Sequence, residues 1–89
     1  MNQMTRSWYA FTGVGDPLYE KNYIKVGVKP GCLCGNRICA IYVRGEDREL
    51  TEPLSPNMRK YIRDALATEF IQPDSPYNAK IYVYLRDYN

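Results

Sequence analysis

Eighty-nine residues suffice for one domain and are too few for two, and a chain of this size buries only about 60–65% of the surface it exposes when unfolded. An apolar content of 45% with 25% charged residues fits a globular chain, and a net charge of +2 is too small to mark a nucleic-acid binder by itself. The absence of histidine excludes Ser-His-Asp and Cys-His nucleophiles, histidine metal ligands and the commonest general base at neutral pH.

Residues 1–6 read as a flexible tail with neither the charged start nor the apolar run of an export signal. No apolar stretch approaches the roughly 20 residues needed to span a bilayer. The expectation is a single cytoplasmic domain over residues 1–89 with reduced thiols. Ser7–Thr12 (SWYAFT) is short and aromatic-rich, which predicts a strand that places Trp8, Tyr9 and Phe11 in the core with one ring exposed. Gly13–Pro17 (GVGDP) is turn punctuation. Its Gly-Val-Gly starts like a dinucleotide fingerprint, but Leu18 occupies the third glycine position and no helix start follows.

Asn22–Val28 alternates, with Ile24, Val26 and Val28 on one side and Tyr23, Lys25 and Gly27 on the other. Lys29–Arg37 breaks the pattern with Pro30, Gly31, Gly35 and Asn36, and Ile38–Arg44 resumes as a strand apolar on both sides, hence central in its sheet. The nine-residue connection predicts that these two strands pair antiparallel. Cys32, Cys34 and Cys39 lie in this stretch at C-x-C-x₄-C spacing. Reduced structural thiols are expected. A Cys32–Cys39 disulfide in an oxidising setting and a thiolate metal site are the alternatives, the latter lacking a fourth cysteine or any histidine.

Gly45–Pro53 is a loop carrying Glu46, Asp47, Glu49 and Glu52. Ser55-Pro56 then supplies an N-cap and a first-turn proline. Met58, Tyr61, Ile62, Ala65, Leu66 and Phe70 form one apolar stripe, and Pro73 and Pro76 end the helix around Phe70–Gln72. Arg59, Lys60 and Arg63 lie off the stripe on a solvated face.

Ala79–Asp87 alternates most cleanly, with Ile81, Val83 and Leu85 on one face and Lys80, Tyr82, Tyr84, Arg86 and Tyr88 on the other. Lying at the C-terminus, it is a candidate edge strand able to augment a neighbour's sheet. The order β-β-β-α-β predicts a small α+β open-faced sandwich with a mainly antiparallel sheet. The helix is expected over Ile24, Val26, Ile41, Val43, Ile81, Val83 and Leu85.

One helix covers one face, so the candidate site is the uncovered one. Lys80, Tyr82, Tyr84, Arg86 and Tyr88 form it, with Tyr23 and Lys25 as an extension if their strand adjoins. Tyrosine and arginine are the residues that protein interfaces favour, which points to a protein partner or a second copy of the chain. The same rings and cations suit stacked bases and phosphates, so a single-stranded nucleic acid is the alternative partner. No acid–base pair or cofactor motif stands at a catalytic spacing, and the reading is a non-catalytic interaction or structural subunit without cofactor.

The run WYAFTG, followed by PGCLCGNRICAIYV and a short helix begun by Ser-Pro, resembles small uncharacterised bacterial proteins with a WYxFTG…C…ICAIY pattern. The resemblance covers residues 8–43, extends to 66, and implies a bacterial source. Members of that group often carry an N-terminal export segment, which is not expected for this chain, and have no assigned catalysis, so no functional residue is implied.

Overall fold

The computed structural model describes residues 6–73 and 80–87. Residues 1–5 of the expected tail, the start of the expected last strand at Ala79, and Tyr88 lie outside them. Four strands, β1 (Arg6–Phe11), β2 (Tyr23–Val26), β3 (Arg37–Arg44) and β4 (Val83–Arg86), and one helix, α1 (Pro56–Thr68), follow in the order β-β-β-α-β. The strands form one antiparallel sheet in the order β2-β1-β3-β4, an α+β fold with the helix on one face. Arg6 is thus the first residue of β1 and not part of a tail.

β3 is central, as its double-sided apolar pattern requires, but its neighbours are β1 and β4. The expected β2–β3 pair does not form, because β1 lies between the two. A nine-residue connection is not a hairpin turn and leaves the pairing to the faces that have to be buried.

Register decides those faces. Tyr9 stands opposite Lys25 and Ile41, Phe11 opposite Tyr23, and Ser7 opposite Val43. This side meets Met58, Ile62 and Ala65 of α1 together with Leu50 and Leu54 of the preceding loop, giving a core with Ile38, Ile41, Val43, Val83 and Leu85. Burying each of the large aliphatic side chains contributes about 1.5–3 kcal/mol. Ile24 and Val26 pair with Ala10 and Trp8 on the opposite face, so the helix does not pack over them.

The alternation in β2 is real but its inward side is the tyrosine side. A tyrosine can be buried where its hydroxyl has a partner. Tyr23 Oη donates to the Pro17 carbonyl at 2.7 Å and Tyr9 Oη to the Asp47 carbonyl at 2.7 Å, and both residues are fully buried. Gly45 makes the second bond possible, since a Cβ there would collide with the Tyr9 ring and hydroxyl.

α1 begins as expected: Ser55 Oγ accepts the Met58 N–H at 3.1 Å, and Pro56 occupies the first turn. It ends at Thr68, earlier than the prolines suggest. Glu69 takes a left-handed conformation (φ 59°) and donates its N–H to the Ala65 carbonyl, and Phe70 is left 49% exposed. The chain turns there to bring Gln72 alongside β4. Gln72 and Val83 exchange backbone hydrogen bonds of 3.2 and 3.1 Å, and further along the Leu85 N–H donates to the Leu33 carbonyl at 2.9 Å. β4 is therefore an edge strand whose outward donors at Val83 and Leu85 are already used, and it is not an open template for another sheet. On the other edge, Lys25 N–H donates to Arg48 in the acidic loop. Among the described residues no helix is long and apolar enough to cross a membrane.

Candidate interaction face

On the side away from α1, β1 presents Arg6, Trp8 and Ala10, and β3 presents Ala40, Tyr42 and Arg44. β4 adds Tyr84, which pairs with Ala40, and Tyr82 precedes it, its carbonyl accepting the Tyr42 N–H at 2.9 Å. The two alanines are what bring the large rings together. Trp8 and Tyr84 stand on strands separated by β3, yet their ring centroids are 5.4 Å apart, and Ala40 between them is fully buried. Trp8 also meets Tyr42 at 4.8 Å. Tyr82 stacks between Tyr42 and Tyr61 of α1, at 6.3 Å from each, and so joins this face to the helix.

Three of these four rings carry a cation from the same molecule. Lys80 Nζ lies 4.7 Å from the Tyr42 centroid, Lys29 Nζ 5.1 Å from Tyr84, and Arg6 Cζ 5.2 Å from Tyr82. All lie within the distance at which a ring quadrupole attracts a cation, each such contact being worth about 0.5–1 kcal/mol at an exposed site. Arg44 and Arg86 add exposed charge to the same side. Among the described residues the one ion pair is Lys60–Asp64, on the surface of α1, so none of these five cations is neutralised by a carboxylate there.

The five residues expected on this face divide. Lys80 and Arg86 are exposed on it and Tyr82 is half-buried. Tyr84 is buried, at 6% exposure, between Trp8 and Lys29, and is not a free ring. Tyr88 lies outside the described residues. The proposed extension fails on geometry. Tyr23 and Lys25 belong to β2 at the far side of the sheet and point to the helix-side face, where Tyr23 is fully buried and Lys25 Nζ donates to the Glu46 carbonyl at 3.0 Å. Trp8, Tyr42, Arg6 and Lys29 take their place. Trp8 was visible in the sequence as an aromatic in a strand, but its partners depend on a β1–β3 register that no local pattern reveals.

The cysteines also differ from expectation. Cys32 and Cys39 are joined in a disulfide and only Cys34, half-buried, is free, so the three thiols are neither all reduced nor a ligand set. Among the described residues no group of three or more Cys, Asp or Glu is placed to hold a metal ion.

Beyond the other end of the sheet, an open cleft of about 850 Å³ lies between the start of β1, the acidic loop and the start of α1. Leu50 and Leu54 line it alongside Arg44, Glu46, Glu49 and Glu52, a mixed rim without a paired acid and base. The nearest perturbed group is Tyr9, whose phenol is pushed above its ordinary range by burial and then by Asp47 and Glu46. Comparison of the chain with protein-family models, with characterised proteins and with solved structures finds no match to any of them.

Proposed function

We propose that the chain is a non-catalytic binding subunit that engages an acidic protein surface through the face built from Trp8, Tyr42, Tyr82 and the cations Arg6, Lys29, Lys80 and Arg86. The observation that carries this reading is the occupation of three rings by cations of the same molecule. A cation resting on a ring is held in position before any partner arrives, so little side-chain freedom is lost on binding. Its charge remains unspent. A nucleic base stacking on Tyr42 or Tyr82 would first have to displace that cation, which weighs against the single-strand reading.

Among the described residues the exposed loop with Glu46, Asp47, Glu49 and Glu52 supplies an acidic surface, so the partner we infer is a second copy. The contact joins two different patches and is heterologous. The test is sedimentation velocity of the full chain from micromolar to near-millimolar concentration. Average mass is expected to rise above the 10.4 kDa of the monomer. The double variants Lys80→Glu/Arg86→Glu and Glu46→Lys/Glu49→Lys are each expected to remain monomeric, and their equimolar mixture to form a complex, because one supplies an intact face and the other an intact loop. A monomer at every concentration with no complex in the mixture overturns the reading. Binding of a short oligothymidylate that the first variant loses, without self-association, would replace it by the nucleic-acid reading. A bacterial source and a cytoplasmic residence complete the proposal.

A further inference from the structure

We propose that the Cys32–Cys39 disulfide is a reversible latch that holds the loop of residues 27–36 against β4, and that reduction by a dithiol opens it. The loop leaves β2 on one edge of the sheet and reaches the opposite edge before returning to β3. Three contacts mark its arrival: Lys29 over the Tyr84 ring, the Leu33 carbonyl on the Leu85 N–H, and Gly35 against the backbone of Arg86 and Asp87, where a Cβ would collide. The loop brings little apolar burial of its own. Val28 is 74% and Leu33 58% exposed. Gly27, Gly31 and Gly35 leave its backbone many alternatives once it is released. The covalent tie from Cys32 to Cys39 in β3 is thus what keeps a poorly buried segment in place.

A cytosolic disulfide is transient or regulatory, whereas an extracellular one is a permanent staple, and it is the first case that the proposed residence implies. In the opening step a thiolate of the dithiol attacks one sulfur of the pair, forming a mixed disulfide and releasing the other cysteine as a thiol. The second thiol of the reductant then displaces the remaining cysteine. The reductant is oxidised by two electrons to its own disulfide, and its two protons end on Cys32 and Cys39. Opening removes Lys29 from Tyr84 and bares the Leu85 donor, which uncovers the Leu85 end of the β4 edge, leaves Val83 paired with Gln72, and dismantles part of the cationic face. That last consequence rests on the binding reading; the opening itself does not.

Hydrogen exchange of the full chain, in a Cys34→Ser background so that no third thiol can exchange, tests the latch without any partner. Between oxidised and reduced protein the Leu85 amide is expected to exchange at least ten times faster. The Tyr42 amide, bonded to the Tyr82 carbonyl at the other end of the same strand pair, is expected to keep its protection. Cys32→Ser/Cys34→Ser, without reductant, should reproduce the reduced pattern. An unchanged Leu85 rate overturns the latch, and so does a uniform rise at every amide, which would make the bond a global staple. Self-association in the two redox states then reads the consequence separately. A several-fold weakening on reduction is expected, and equal association with a selectively opened Leu85 would detach the latch from the face.

Discussion

Glu69 ends α1 in the left-handed region with a full side chain where most helices place glycine. A Cβ in that conformation costs about 1 kcal/mol relative to glycine. Glu69 is exposed and its backbone, not its carboxylate, makes the capping bond to Ala65. Glu69→Gly is therefore expected to raise stability by about 0.5–1 kcal/mol in urea unfolding, with an unchanged denaturant slope. Lower stability would show that the carboxylate has a partner role there. Gly35 is the opposite case: alanine would drive a methyl group into the backbone of Arg86 and Asp87. The expected loss is about 2–3 kcal/mol in the same measurement, with β4 forced away from the loop.

Among the elements, α1 was legible at its start and not at its end. Ser55-Pro56 carries capping chemistry in residue identity alone, and Ser55→Ala is expected to cost about 1 kcal/mol by thermal denaturation because the Met58 N–H loses its acceptor. The C-terminus was hidden because a glutamate does the work of a glycine. β3 was legible as central because both of its sides are apolar. β2 was legible as a strand but not in its orientation: Ile24 and Val26 are the more hydrophobic side, yet Tyr23 is the one fully buried, its hydroxyl satisfied by the Pro17 carbonyl of the preceding connection. The candidate face was half legible for the same reason. Lys80, Tyr82 and Arg86 alternate within one short segment, whereas Trp8, Tyr42, Arg6 and Lys29 join them only through strand order, and the burial of Tyr84 only through a loop that crosses from the other edge.

For the whole molecule, a sheet with one helix has a thin core, and two of its largest fully buried groups are phenols. They tie peripheral loops to the sheet, Tyr9 holding the acidic loop at Asp47 and Tyr23 the first connection at Pro17. Burial, with Asp16 adding to it, pushes the Tyr23 phenol far above its ordinary value of 10.0, and Tyr9 moves the same way. The sign follows from proton binding. Above pH 10 the unfolded chain releases the Tyr23 proton while the folded chain retains it, so the unfolded state binds fewer protons and stability falls as pH rises. Held fully protonated, the Tyr23 phenol contributes a slope of about 1.4 kcal/mol per pH unit in that window, and none below it. Tyr23→Phe separates the two roles of the hydroxyl. At neutral pH it is expected to cost about 1 kcal/mol for the lost bond to Pro17, and above pH 10 its stability should fall less steeply than that of the native chain, so that the two curves converge. Urea midpoints measured across this range decide the matter: parallel alkaline limbs would mean that Tyr23 ionises as readily in the folded protein as in the unfolded one, and that its burial does not anchor the first connection.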